Sequence, residues 1–273
     1  MKLYTSIDME GISGLVDHQF VTPGERFYAR GQQLMTDEVN YVAESAIEFG
    51  CKEFIVNDAH GKMNNLLIEK VHGDIKLVSG EVKPYSMMQG IDHSFDGAFF
   101  LGYHARASTP GVMSHTMIFG VRSMWLDEHE IGEMGFNAYL AGYYDVPLLL
   151  VAGDDSTCRE AEALVPGVTT ACVKVAQSRS SAICLTPTNS KVLLQEKTQD
   201  ALSKIAKVKP LRTSEKPILH IEFANYGQAE WAALMPGAEI EKGTIVKFTA
   251  RDVKEAYQAM LVMTELAMQT TFC

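Results

Sequence analysis

A chain of 273 residues, 47% hydrophobic and 21% charged, has ample material for a packed core in one large or two smaller domains. A formal net charge of -10 argues against nucleic acid as the main partner, while an acidic site could still gather cations. No run approaches the roughly 20 apolar residues of a membrane helix, and Met1 leads into a strand pattern and not a secretory signal, which predicts a soluble cytoplasmic protein with no membrane partner.

Lys2 to Ile7 alternates as a strand and runs straight into Asp8 and Glu10. A strand has a side-chain period of two, so the two carboxylates point to the same side. Gly11 and Gly14 follow, letting the chain turn and something approach the backbone closely. From Glu25 to Phe49 the residues Leu34, Val39, Val42, Ala46 and Ile47 recur at helical spacing, with Gly50 as a stop. EFIVND (Glu53 to Asp58) predicts a short buried strand, MNNLLIEKV a weaker helix, and IKLVSG another strand. GAFFLGYHA (Gly97 to Ala105) is a strand leaving into a loop.

SMWLDEHEIGE reads as a hairpin with DEHE at its tip. Glu133 to Tyr144 is helical, VPLLLVAGDD (Val146 to Asp155) is the most hydrophobic strand, and STCREAEA opens a helix capped by Ser156. This alternation predicts an α/β fold, a mostly parallel sheet with helices on both faces. Beyond about Thr169 the rhythm changes to a polar helix (Ser190 to Ala206), the strands ILHIEFAN and TIVKFTA, and a helix from Asp252 to Met268. These elements predict a smaller C-terminal α+β lobe, so that residues 1–180 form a metal-binding catalytic domain and residues 181–273 the lobe. The cysteines, Cys51, Cys158, Cys172, Cys184 and Cys273, are odd in number and without a CxxC pair, the pattern of reduced thiols in a cytoplasm.

Ligand sites in parallel α/β sheets lie beyond the carboxyl ends of the strands. Asp8 and Glu10 follow the first strand, Asp58 and His60 end the second, His104 follows GAFFLGY, and His115 lies in the loop beyond. Glu133 adds a carboxylate from the first turn of a helix. Singly, each has a plain structural role open to it: a solvated turn for Asp8 and Glu10, an Asx-turn for Asp58, a loop hydrogen bond for His60 or His104, a helix-dipole partner for Glu133. Together they suit two zinc or similar ions roughly 3.5–4 Å apart, with short, central Asp8 as the bridge.

His115, eleven residues after His104, can face such a site as general acid or base, or as nucleophile, without being a ligand. Arg106 in the same loop is expected to pair with a nearby acid. His18, His72, His93, His129 and His220 read as surface or structural histidines, and Glu222 and Asn225 as a strand end before a core helix anchored by Trp231.

IDMEGISG, VNDAHGKMNN, GYHARASTPGVMSHTMIFG, IGEMGFNAYLAGYYDVPLLLVAGDD and IEFANYGQAEWAALMPG together resemble the zinc D-aminopeptidase (DppA) family of bacilli. The likeness runs to the closing LVMTELAMQTTFC. It implies a two-zinc centre that removes N-terminal D-amino acids from short peptides such as D-Ala-D-Ala. It also implies a homodecamer of two pentameric rings. Carried over residue by residue, it implies that Asp8, Glu10, His60, His104 and Glu133 hold the zincs, Asp8 bridging, and that His115 is catalytic. The residues alone leave two other readings open. One is a two-metal phosphoester hydrolase, which would call on Lys62 or Arg106 for its phosphate, and the other a non-catalytic peptide- or metal-binding protein.

Overall fold

A computed structural model describes residues 1–271, so the reading of Cys273 falls outside the described residues. The opening strand β1 (Lys2–Ile7) leads through a short helix α1 (His18–Val21) to the long helix α2 (Tyr28–Glu48). Met35, Val39 and Val42 of α2 are fully buried, each contributing about 1.5–3 kcal/mol of apolar burial. Strands β2 (Glu53–Asp58), β3 (Ile75–Val78) and β4 (Gly97–Tyr103) follow.

No helix forms over MNNLLIEKV. Asp58 Oδ2 accepts from the amides of Asn65 (2.6 Å) and Leu66 (2.8 Å), so donors a helix would use are taken by a side chain. Gln32 and Asn40 of α2 hold the carbonyls of Asn65 and Lys70, which fixes the segment as an ordered loop.

The hairpin of β5 (Val121–Leu126) and β6 (His129–Glu130) is present, with a tip narrowed to Asp127 and Glu128 because His129 pairs with Leu126 and Glu130 with Trp125. Helix α3 (Glu133–Tyr143), strand β7 (Leu148–Asp154) and helix α4 (Asp155–Leu164) come next. The cap of α4 is Asp154, not Ser156: its Oδ1 accepts from Thr157 N at 2.8 Å, which places Ser156 inside the first turn. The remainder is β8 (Thr169–Ser178), β9 (Ser181–Cys184), α5 (Pro187–Ser203), β10 (Ile218–Phe223), α6 (Tyr226–Ala232), β11 (Ala238–Lys242), β12 (Ile245–Thr249) and α7 (Val253–Ala267). Helix α5 starts earlier than its polar pattern suggests, because Thr186 caps it and Pro187 occupies its first turn.

Among the described residues, seven strands form one sheet in the order β3-β2-β1-β4-β7-β8-β9, parallel except for β9. Every residue of β4 and β7 is buried, as expected of central strands covered on both faces. A second, antiparallel sheet runs β11-β12-β10-β5-β6. The two sheets interleave along the chain: β5 and β6 come from the first 180 residues, and β9 from beyond them.

A buried polar chain ties the layers together. Ser6 Oγ and Tyr103 OH lie 2.7 Å apart, Asn137 Nδ2 donates to Tyr103 OH (2.8 Å), and Tyr257 OH donates to Asn137 Oδ1 (2.8 Å). This joins β1, β4, α3 and α7 through satisfied groups in a low-dielectric interior. Asn225 caps α6 by accepting from Gln228 N, while Trp231 is 40% exposed and does not anchor that helix in the core. Cys51, Cys158, Cys172 and Cys184 are free thiols, and no helix among the described residues is long and apolar enough to cross a membrane.

Candidate metal centre

Strand register brings the site together. Ile7 pairs with Asp58 on one side and Leu101 on the other, so the residues following β1, β2 and β4 emerge at one edge. Asp8 N donates to Leu101 O (2.9 Å) and Gly11 N to Gly102 O (2.7 Å), which folds the acidic segment over the end of β4. Glycine is required on both sides of that contact. A Cβ on Gly11 would lie 2.0 Å from Tyr103 O, and one on Gly102, whose φ is +64°, 2.1 Å from Asp8 O.

Asp8, Glu10, His104 and Glu133 are buried, and the side chains of His60 and His115 are nearly so. His60 Nδ1 lies 3.0 Å from Asp8 Oδ1 and 2.9 Å from Glu10 Oε2. His104 Nε2 lies 3.5 Å from Asp8 Oδ2 and 3.4 Å from Glu133 Oε2, while His115 Nε2 is 3.8 Å from Glu133 Oε1. Asp8 therefore stands between His60 and His104, one oxygen toward each. All six residues singled out in the sequence meet in one place.

Each imidazole is set by its outer nitrogen. His60 Nε2 donates to Val21 O (2.7 Å), His104 Nδ1 to Ala105 O (3.0 Å) and His115 Nδ1 to Met113 O (2.9 Å). A carbonyl only accepts, so the protonated nitrogen is fixed outward and the inner nitrogen faces the carboxylates, the arrangement typical of metal-ligating histidines. The rings of His104 and His115 stack at 4.1 Å and 12°, holding both planes.

Like charges in a buried cluster disturb one another. Burial and the neighbouring Glu10 raise Asp8 to about 7. Burial works against the charge on His104, but Glu133, Asp8 and Glu10 outweigh it and raise the ring to about 10. His60 is likewise held well above its ordinary value, burial being overcome by Glu10 and Asp8. Burial opposes ionisation of Glu10 and Glu133, yet His60 pulls the first and His104 the second below the usual range. His115 goes the other way, lowered by burial and by the adjacent His104.

The donor set fits divalent metal. Glu10 Oε2 and His104 Nε2 are buried without an aligned hydrogen-bond partner, a costly condition unless something binds them. Two groups of donor atoms, Asp8 with Glu10 and His104, and His104 with His115 and Glu133, each lie within 4.8 Å of one another. Carboxylate oxygen with imidazole nitrogen is a zinc-type ligand chemistry.

Other residues hold this centre. Asp58, buried, organises the loop bearing His60, and Asn65 Nδ2 reaches both its Oδ1 (2.8 Å) and His60 O (2.6 Å). Asp154 Oδ2 accepts from Val112 N (2.7 Å) and so steadies the loop between His104 and His115. Lys174, buried in β8, donates to the carbonyls of Glu10, Ile12 (2.9 Å) and Leu15 (2.6 Å). Arg106 pairs with Glu130 (2.8 Å) and Thr109 (2.8 Å), as expected of a structural arginine. The centre opens into a cleft of about 840 Å³ whose lining includes His18, Met117, Phe119, Arg179, Leu261 and Met268. None of these was singled out from the sequence as a functional residue, and His18 was read as surface or structural. Met117 and Phe119 lie just beyond His115 in the stretch GYHARASTPGVMSHTMIFG, while His18, Arg179, Leu261 and Met268 come from distant segments.

Comparisons with known proteins place the whole chain in one family. The family model for D-aminopeptidases (peptidase M55) matches residues 1–262. The chain is 61% identical over 274 residues to the D-aminopeptidase of Bacillus subtilis (strain 168), covering all of both chains. Its structure superposes with a TM-score of 0.99, over the full length of both chains, on the Zn-dependent D-aminopeptidase DppA from Bacillus subtilis, described as a self-compartmentalizing protease. A family model over nearly the whole chain and a full-length relative at this identity lead to one statement: the chain belongs to the D-aminopeptidase family.

Proposed function

We propose that the protein is a two-zinc aminopeptidase that releases N-terminal D-amino acids from short peptides such as D-Ala-D-Ala. The observation that carries this reading is the buried cluster of three carboxylates and three outward-anchored imidazoles, with Glu10 Oε2 and His104 Nε2 lacking an aligned hydrogen bond. Asp8 would be shared by the two ions, with Glu10 and His60 lying to one side of it and His104 and Glu133 to the other. When bound, zinc polarises the scissile carbonyl and acidifies water at neutral pH.

The chain's own residues do the rest. His115 presents an unprotonated Nε2 to the cluster, because Nδ1–H is committed to Met113 O and burial disfavours a second proton. Nε2 takes the proton released as water adds to the carbonyl carbon. It then gives that proton to the leaving nitrogen as the C–N bond breaks, so the products are a free D-amino acid and a shortened peptide. Stacking on His104 keeps the ring in the one orientation that serves both transfers. Glu265 in the cleft lining favours a substrate with a free ammonium group.

We also infer a cytoplasmic homodecamer of two pentameric rings, a reading supported by the free thiols and by the self-compartmentalizing character of the solved relative. Native mass measurement tests it, and a 30.1 kDa species would refute it. Metal analysis, followed by incubation with D-Ala-D-Ala, L-Ala-L-Ala and a generic phosphodiester, tests the activity. Two zincs per chain and release of D-Ala alone are expected. Phosphodiester cleavage would indicate a phosphoester hydrolase, and no turnover a binding protein.

A further inference from the structure

Three cations line the cleft, and two of them are engaged. Lys62 pairs with Glu81 at 2.9 Å, and Lys83 is buried, donating to Asp58 O (2.7 Å) and Val78 O (3.2 Å). The third is Arg179, at the exposed tip of the β8–β9 hairpin. Among the described residues no carboxylate lies within 4.0 Å of its guanidinium, although the cleft carries several. Its one side-chain hydrogen bond is a long one, from Nη2 to Ser114 O at 3.4 Å. A guanidinium has five N–H donors in a planar fork suited to a carboxylate, so most of this capacity is unused.

Its position relative to the reacting groups is fixed twice. Met113 N donates to Arg179 O (2.8 Å), tying the hairpin tip to the loop that carries His115. The guanidinium lies over the ring of Phe119 (5.7 Å), and that ring is 5.3 Å from the imidazole of His115. Phe119 is 80% exposed, which a residue serving only as core would not be. In a dipeptide the terminal carboxylate carbon is three bonds beyond the scissile carbonyl carbon, at most about 3.7 Å away. A carboxylate that near the cluster lies within the same cleft, and Arg179 is the lining lysine or arginine whose donors are not already committed.

We propose that Arg179, backed by Phe119, is a specificity-determining residue that binds the free C-terminal carboxylate of the shortest peptides. This deepens the aminopeptidase reading and rests on it. Charge complementarity of this kind selects a dipeptide acid over its amide without altering the metal cluster, and Arg179 touches none of the six residues proposed to carry the chemistry.

The test is a comparison of D-Ala-D-Ala with D-Ala-D-Ala amide, using wild type, Arg179→Gln and Arg179→Lys, with zinc content measured for each. Wild type should prefer the acid at least tenfold in kcat/KM. Arg179→Gln should lose about 10- to 100-fold on the acid, mainly through KM, and change less than about twofold on the amide, with zinc retained. Arg179→Lys should recover part of the loss, since it restores the charge without the fork. Equal losses on both peptides, or none on either, would overturn the inference alone. Cleavage of neither peptide by the wild type would overturn the aminopeptidase reading and the inference with it.

Discussion

Glu38 of α2 offers a prediction whose size follows from burial. It is 4% exposed, and Oε1 accepts from Ser13 N (3.1 Å) and Ser190 Oγ (2.8 Å), while Oε2 is buried without a partner. Burial raises its carboxyl from 4.5 to about 7, against the opposing hydrogen bonds of Ser190 and Ser13 and the charge of Lys174. Between those two values the folded chain binds a proton that the unfolded chain has released. Stability from this group is therefore full below about 4.5 and is lost as pH rises through about 7. At 1.36 kcal/mol per unit, the loss is about 3 kcal/mol by pH 8.

Glu38→Gln keeps one oxygen for Ser13 and Ser190 and places a neutral amide where Oε2 stands. The variant should match wild type near pH 4.5 and be more stable by about 3 kcal/mol at pH 8, since the penalty for ionisation is gone. Urea unfolding of both proteins at pH 5, 6, 7 and 8 measures the difference, and subtraction removes the titrating groups that do not sense Glu38. A stability difference that stays flat with pH, or that favours wild type at pH 8, would refute the reasoning.

At the centre, His115→Ala should lower turnover by about 10²- to 10⁴-fold while zinc content stays full, and loss of zinc would show that the ring is a ligand or a support. Asp8→Ala should lose both metals and all activity, because the residue between His60 and His104 is gone, and a variant retaining two zincs would remove the bridging assignment. Gly102→Ala must displace Asp8 O, 2.1 Å from the new Cβ, and hold a left-handed φ of +64°, costing about 1–3 kcal/mol or more in stability. Zinc affinity should fall with it, and urea unfolding with metal analysis reads both effects.

Half of the candidate centre was legible in the sequence because Asp8, His60 and His104 are the first polar residues after buried strands. Asp8 after β1, His60 after β2 and His104 after β4 are each two residues or fewer from a strand end, and parallel register brings those ends to one edge. Local pattern was enough for such positions, since period-two alternation and strand ends are properties of contiguous residues. It failed where a side chain claims backbone groups, as at Asp58, whose carboxylate takes the amides of Asn65 and Leu66 and unmakes the helix that the apolar spacing suggests.

It also failed wherever the partner is remote. Lys174 sits in a strand pattern with nothing to mark it, yet it crosses to the carbonyls of Glu10, Ile12 and Leu15, some of the least accessible backbone at the site. Burial lowers its ammonium to about 8, so the lysine is held in place at a cost, and the three carbonyls are what offset that cost. Those carbonyls belong to the segment that turns away from the end of β4, where Gly11 leaves no room for a side chain and the ladder has ended. A loop bent that sharply exposes acceptors with no strand to satisfy them, and β8 lies within reach to supply one ammonium whose three N–H groups match the three carbonyls. The same strand ends in the hairpin tip that carries Arg179. One element thus fixes the acidic loop from below and offers a cation to the cleft from above, which is why the β8–β9 hairpin belongs to the site although no motif in it says so.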